Sequence, residues 1–209
     1  MMDLQFYGAN CFTVATKHAR VLIDDNLADL GKKGIAKQGD IALFTGAHGI
    51  PGQQAKIIID QPGEYEVSGI SIYGIAARAH MDEDKQRNAT IYKIMTDDIR
   101  LLVVGHIYPE LSDAQLEAIG MVDVMFVPVG GNGYTLDAIG ALKLIKKIEP
   151  KLVIPTHYDS SDMQFPVPQQ TLQQALTALT MEPKETVTKL KVKSGELGDT
   201  TQLIVLEQS

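Results

Sequence analysis

The amino-acid sequence predicts an α/β protein in which two β-rich halves pack as two sheets with helices outside them. Three apolar runs between residues 101 and 154 have the length and β-branched content of buried strands, namely Leu101–Val104, Val124–Val129 and Leu152–Ile154. Helical patterns separate these runs, whereas the chain before residue 104 consists of short strand patterns and turns. Because 209 residues are enough for one sizeable core, we expect a single domain over residues 1–209.

The first half contains short strand patterns separated by residues that favour turns. A hairpin surrounds the turn Gly8–Asn10, and the next strand ends at Asp24 and Asp25, which we expect to cap loops. The predicted strands cover residues 4–6, 11–14, 21–23, 41–44, 56–60, 66–75, 90–95 and 99–104.

The second half begins after His106 and contains three predicted helices. Ser112 with Gln115 forms a capping-box pattern, and that helix ends near Gly120. Thr135 or Asp137 caps the next helix, and the third covers residues 169–180. The helix 138–148 presents a regular apolar stripe formed by Ile139, Leu142, Ile145 and Ile148.

The last predicted elements are two alternating segments, residues 189–193 and 201–207, which we expect to pair as a terminal hairpin.

Composition narrows the classes of function. The net charge of −7 disfavours a nucleic-acid partner. The sequence has no run of about 18 apolar residues, so we expect no membrane contact. The single cysteine, Cys11, and an amino terminus without a signal-peptide pattern favour the cytoplasm. We expect a small-molecule substrate, and the sequence is compatible with a homo-oligomer.

Four of the five histidines follow strand-like runs and lie in loops: His48, His80, His106 and His157. A single histidine in such a loop is usually structural, but four in the same situation indicate a metal site. The remaining histidine, His18, lies in a polar turn and is expected to be solvated.

Several longer stretches resemble the metallo-β-lactamase superfamily, in particular its small cytoplasmic zinc-dependent hydrolases similar to ascorbate-6-phosphate lactonase. The resemblance is carried by NCFTVATKHARVLIDD, QPGEYEVSGISIYGI, GHIYPELSDAQLEAIGMVDVMFVPVGGNGYTLDA and PKLVIPTHYD. It implies a four-layer αββα sandwich with the site on the rim between the two sheets.

The metal motifs of that family are only partly present. Its first motif, THxHxDH, corresponds to residues 45–51, where only His48 remains as a ligand and Gly46, Ile50 and Pro51 replace the others. His80 and His157 correspond to two further ligands of the family, and His106 stands where the family has a bridging aspartate.

A neutral imidazole cannot bridge two cations as a carboxylate does, so the sequence disfavours a dinuclear centre. It is compatible with one zinc ion at most, held by His48, His80 and His106, with His157 as a fourth ligand or as an acid or base. Asp82 is our candidate for the missing acidic group, with Glu83 and Asp159 as alternatives.

Two functions follow from this degenerate active site. The first is a metal-dependent hydrolase that cleaves an ester, a lactone or a phosphoester with metal-bound water. The alternative is a non-catalytic, metal-free binding or assembly protein that retains the fold. The run Gly130–Gly133 either offers backbone N–H groups to an anion or forms a tight turn.

Overall fold

The computed structural model describes residues 1–48 and 55–209. The described helices are α1 (Asp113–Ile119), α2 (Ala138–Ile148) and α3 (Leu172–Leu179), and a 3₁₀ segment covers Leu27–Leu30. The described strands, in chain order, are β1 (Met2–Gly8), β2 (Cys11–Ala15), β3 (Arg20–Ile23), β4 (Ile41–Leu43), β5 (Ile57–Ile59), β6 (Gly63–Val67), β7 (Ile70–Ala77), β8 (Ala89–Thr96), β9 (Ile99–Val103), β10 (Val124–Pro128), β11 (Leu152–Thr156), β12 (Pro183–Val187), β13 (Leu190–Val192) and β14 (Gln202–Leu206).

These strands form two mixed sheets. The first has the order β13-β1-β2-β3-β4-β5, and the second has the order β12-β14-β11-β10-β9-β8-β7-β6. Strands β9, β10 and β11 are parallel neighbours, as are β3 and β4. Parallel strands have their carboxyl ends at the same edge of a sheet, so the loops that follow these strands gather on one rim.

The main core lies between the two sheets, because both present apolar side chains to each other. Phe12 on β2 stacks on Phe126 of β10 with ring centroids 3.7 Å apart. A second core lies on the opposite face of the second sheet, where α1, α2 and α3 pack. The two sheets with outer helices confirm the predicted fold class.

The layer outside the first sheet is thin. Over the described residues it consists of the 3₁₀ segment Leu27–Leu30 and neighbouring loops, which bury Cys11 and Leu22 together with Met163. The backbone N–H of Gln164 donates to the carbonyl oxygen of Leu30 at 3.0 Å, so a loop from the second half of the chain completes this layer.

Two local predictions are wrong. The two last strands do not form a hairpin: β13 pairs with β1 in the first sheet, whereas β14 lies between β11 and β12 in the second. The predicted stripe of α2 is right for Ile145, which is buried, but wrong for Ile139, which is 60% exposed, and it omits the fully buried Leu144. Small residues, Ala138 and Ala141, allow this other face to approach the sheet.

Candidate metal-binding and catalytic site

The site begins where β3 and β4 end side by side. Asp24 follows β3, and its buried carboxylate accepts hydrogen bonds from the backbone N–H of Thr45 at 2.7 Å and from its hydroxyl at 2.6 Å. Burial raises the pKa of Asp24 to about 6, although both hydrogen bonds and the nearby His48 favour the charged form. Asp24 thus caps this loop, as its position at the end of a predicted strand indicates.

Thr45 also contacts the end of β9. A Cβ placed on Gly105 would lie 2.4 Å from the Cβ of Thr45, so only glycine permits this close approach between the two sheets. His106 comes next in the chain and lines a cavity with Thr45 and Asp24. The loops after β4 and β9 therefore meet at the rim, as the strand order predicts.

The ring of His106 lies against two other aromatic rings. It meets His157 edge to face with centroids 4.6 Å apart, and Tyr134 with centroids 5.2 Å apart. Its Nδ1 is 3.5 Å from the carbonyl oxygen of Tyr134, which can only accept, so Nδ1 is the donor. Desolvation lowers the pKa of His106 to about 4, so its ring is neutral at pH 7.

His157 follows β11 and is 2% exposed. Its backbone has a φ of 55°, an uncommon conformation for a residue other than glycine, and its N–H donates to the carbonyl oxygen of Ala9 at 2.8 Å. Its Nδ1 is 3.1 Å from Oε1 of Gln169. Desolvation and the neighbouring His106 lower the pKa of His157 to about 3.

His80 borders the same cavity. Its backbone N–H donates to the carbonyl oxygen of His106 at 2.7 Å, which joins the loop after β7 to the loop after β9. The Nδ1 atom of His80 is buried and has no hydrogen-bond partner within residues 1–48 and 55–209. The cavity has a volume of about 280 Å³. Its lining includes Asp24, Asn26, Thr45, Gly46, Ala47, Ala79, His80, Met81, Asp82, Asn88, Ala89, His106 and Tyr134.

Asp82 also lines this cavity, but its carboxylate is engaged within its own loop. It accepts hydrogen bonds from the backbone N–H groups of Ala79 and Asn88 and from the side-chain amide of Asn88. These hydrogen bonds and the nearby Arg78 lower the pKa of Asp82 although partial desolvation opposes them. The contacts favour a part in ordering the loop, and a catalytic action of Asp82 stays a prediction.

His48 is placed differently from the other three imidazoles. Its ring stacks on Phe44 with centroids 4.0 Å apart, and its Nε2 is 3.1 Å from Oδ2 of Asp60. Neither His48 nor His157 is among the residues that line the cavity with His80 and His106, but the ring of His157 contacts that of His106. Ile50 and Pro51, which replace metal ligands of the family motif, lie outside the described residues.

The donor set agrees in its chemistry with a metal ion. His106 and His157 are neutral, each gives its Nδ1 hydrogen to an oxygen acceptor, and each therefore keeps a lone pair on Nε2, as metal-binding histidines usually do. The described part of the chain nevertheless contains no group of three or more His, Cys, Asp or Glu side chains arranged to hold a metal ion. The predicted four-histidine ligand set stays a prediction.

Sequence reasoning missed the contributions of Gln169 and Tyr134, which contact the two buried imidazoles. Tyr134 lies in one of the stretches that resemble the family but is not one of its metal ligands, so it was not singled out. Gln169 lies two residues before the capping box of α3 formed by Thr171 and Gln174, and no motif marked it.

A larger cleft lies elsewhere. It has a volume of about 820 Å³ and runs between α3 and β12, with Leu172, Leu176 and Met181 in its walls. It contains none of the four predicted metal ligands, whereas His80 and His106 line the smaller cavity.

The comparison with family models assigns this two-sheet sandwich to a superfamily. A family model described as a beta-lactamase superfamily domain matches residues 3–157, which are 155 of the 209 residues. The chain therefore belongs to the β-lactamase superfamily.

Known structures and curated relatives agree with this assignment. A Thermotoga maritima protein assigned to the metallo-β-lactamase superfamily superposes with a TM-score of 0.77 over 99% of both chains at 21% identity. A metallo hydrolase from Ignicoccus hospitalis superposes with a TM-score of 0.65 at 20% identity, over 100% of this chain and 96% of its own. These identities establish the shared fold alone.

Matches to curated sequences are shorter. A metal-dependent hydrolase of Pyrococcus horikoshii is 28% identical over 102 residues, which are 47% of this chain and 44% of the relative. A metal-dependent hydrolase of Thermoplasma acidophilum is 41% identical over 51 residues, 23% of this chain and 22% of the relative. The chain thus spans less than half the length of these relatives.

Proposed function

We propose that this chain is a metal-dependent hydrolase whose single metal ion is held by His106 and His157, with His80 as a third donor. The observation that carries the proposal is the pair of buried imidazoles 4.6 Å apart beside the 280 Å³ cavity. In each ring the Nδ1 atom faces an oxygen acceptor. Neutral imidazoles suit zinc, which we propose as the metal.

When bound, such a cation would act as a Lewis acid and make water a nucleophile near neutral pH. The residues of the chain supply the rest of the chemistry. His106 and His157 hold the site neutral, and Asp24, whose pKa is about 6, can take up a proton at the cavity wall. We propose an ester, a lactone or a phosphoester as substrate.

The dimensions of the cavity support a small substrate, because ligand pockets for drug-sized molecules usually measure roughly 300–1,000 Å³. The net charge of −7 supports the proposal that nucleic acid is not the partner. No helix in the described parts of the chain has the length and apolarity that a membrane crossing requires. The buried free thiol of Cys11 supports a cytoplasmic location.

The second candidate is a metal-free binding or assembly protein that retains the cleft. Its support is that the residues described by the structure lack a complete three-ligand group. In addition, His48 pairs with Asp60 and is not among the residues that line the cavity. The carboxylate of Asp82 is also occupied by its own loop.

Metal analysis separates the two candidates. Protein purified without an affinity tag or chelator should contain about one zinc ion per chain. The ion should be lost in His106→Ala and His157→Ala and kept in His18→Ala, since His18 is an exposed histidine in a surface turn.

If the purified protein contains zinc, the next measurement is the rate of hydrolysis of an aryl ester, a γ-lactone and an aryl phosphodiester, each with and without chelator. A metal-free wild-type protein whose melting temperature does not change in chelator would overturn the hydrolase proposal and leave the binding protein.

A further inference from the structure

Gln169 is the side chain that contacts the deepest imidazole of the site. It is 7% exposed, and its Oε1 is 3.1 Å from Nδ1 of His157. On its other side, Nε2 of Gln169 is 2.8 Å from the carbonyl oxygen of Val167. The two contacts together determine which atom of each group carries hydrogen.

Val167 fixes the orientation of the Gln169 amide. Its carbonyl oxygen can only accept, so the amide group of Gln169 must point its NH₂ toward Val167 and its oxygen toward His157. An amide oxygen also can only accept, so Nδ1 of His157 must be the donor. A neutral imidazole with hydrogen on Nδ1 has its only lone pair on Nε2. The surroundings of Gln169 therefore select one tautomer of His157.

The packing around Gly130 keeps Gln169 in this place. A Cβ on Gly130 would lie 2.1 Å from Oε1 of Gln169 and 2.1 Å from the carbonyl oxygen of His157, so a side chain there would displace both. The backbone N–H of Gln170 donates to the carbonyl oxygen of Gly130 at 2.8 Å. Close approach of the backbone thus explains Gly130, as an alternative to the anion-binding turn considered from the sequence.

We propose that Gln169 is a positioning residue that holds His157 in the tautomer with hydrogen on Nδ1 and keeps Nε2 as the donor atom for a metal. This inference deepens the proposed function and rests on it for the metal. The partner of a metal-binding histidine fixes its tautomer and orientation, and loss of such a partner typically weakens metal binding by about 10–100-fold.

The first test needs only the wild-type chain. Long-range ¹H–¹⁵N correlation spectra at pH 7 distinguish protonated from unprotonated ring nitrogens, and the His157 signals are those lost in His157→Asn. We expect a protonated Nδ1 and an unprotonated Nε2. A His157 ring with hydrogen on Nε2, or with hydrogen on both nitrogens, would overturn the inference even if the Gln169 variants failed to fold.

The second test uses variants of matched size. Gln169→Met removes the acceptor and should shift His157 toward the other tautomer, whereas Gln169→Glu keeps an oxygen acceptor and should retain the original one. Gln170→Met is the control, because Oε1 of Gln170 has no hydrogen-bond partner in the described ranges and the residue is the direct neighbour in sequence.

Zn²⁺ affinity, measured by competition with a chromophoric chelator, gives the second readout. We expect Gln169→Met to bind Zn²⁺ about 10–100-fold more weakly, with partial rescue in Gln169→Glu and no change in Gln170→Met. Unchanged tautomer and affinity in Gln169→Met would refute the inference and leave the hydrolase proposal standing. A wild-type chain with the expected tautomer but no Zn²⁺ affinity would refute the hydrolase proposal and support the positioning of His157 by Gln169.

Discussion

Asp24 and His157 are buried titratable residues whose pKa values move in opposite directions. Burial raises the pKa of the Asp24 carboxyl from 3.8 to about 6 and lowers that of the His157 imidazole from 6.5 to about 3. Both changes favour the neutral form, because charge is costly away from water. Both residues also have left-handed backbone conformations, with φ of 45° and 55°, which often occur at functional sites.

The two groups have opposite effects on stability as the pH changes. The folded chain binds the Asp24 proton more tightly than the unfolded chain does, so this contribution is complete below pH 3.8 and is lost as the pH rises through about 6. His157 and His106 bind protons less tightly in the folded chain. Their contribution is present above pH 6.5 and is lost as the pH falls toward 4 and 3.

The first prediction concerns Asp24→Asn in the metal-free protein. The amide of this variant does not titrate between pH 4.5 and pH 8, so the pH-dependent contribution of the Asp24 carboxyl is removed. The free energy of unfolding of the variant at pH 8, minus that at pH 4.5, should therefore exceed the same difference for the wild type by roughly 2 kcal/mol. Urea denaturation at the two pH values measures it. Asp199→Asn, at an exposed position, should match the wild type. If the free energy of unfolding of Asp24→Asn changed between the two pH values as much as that of the wild type, the pKa of Asp24 would not be raised by folding.

At this scale the sequence predicted residue types better than contacts. It indicated His80, His106 and His157 because each follows an apolar strand, and the structure brings these three together. It could not place His48 beside Asp60, since no sequence pattern links these two residues. The hydrogen bond from His157 to Gln169 depends on an amide orientation, which no sequence pattern encodes.

At the scale of elements, caps were easier to predict than buried faces. Ser112 and Gln115 form the predicted capping box of α1, and Asp137 caps α2, because these local hydrogen bonds involve residues close in sequence. The buried face of α2 depends on what the helix packs against. Its regular stripe included Ile139, yet the sheet side carries Leu144 and small residues that permit close packing.

The second prediction compares two truncations on α2. Leu144→Ala removes a fully buried side chain and should lower the free energy of unfolding by about 2–5 kcal/mol. Ile139→Ala, on the exposed side, should change it by less than about 0.5 kcal/mol. Urea denaturation of both variants decides the matter. Equal losses would mean that α2 is rotated relative to the orientation described above.

At the scale of the whole molecule, the two sheets depend on one another. Their facing sides form one core, in which Phe12 from the first sheet stacks on Phe126 from the second. The final strands extend this connection, because β13 joins the first sheet and β14 joins the second. We therefore expect both sheets to unfold together, which also tests the prediction of one domain over residues 1–209.

The third prediction is that Phe12→Ala lowers protection in both sheets alike. Loss of this buried ring should cost about 3–5 kcal/mol, and hydrogen exchange should report that loss at amides of β2 and of β10. Ile139→Ala serves as the control. Normal protection at β10 with reduced protection at β2 would indicate two units that unfold separately.

The overall fold could be predicted because apolar runs and turns mark most strands and the resemblance orders them. The strand β12 was missed, and β6 and β7 were predicted as one strand over residues 66–75. The partners of β13 and β14 could not, since an alternating segment pairs equally well with any free edge. Only the completed sheets determine that β14 inserts between β11 and β12 and does not pair with β13, the strand that precedes it in sequence.

The thin outer layer of the first sheet contacts the deepest imidazole through the ring of Phe165. Lys32 and Asp162 form an ion pair across this layer, and Phe165, a few residues further on, lies 5.1 Å from the ring of His157. Loosening of the outermost loops would therefore be transmitted to the deepest histidine, so surface changes near Lys32 should alter the environment of a group buried beneath them.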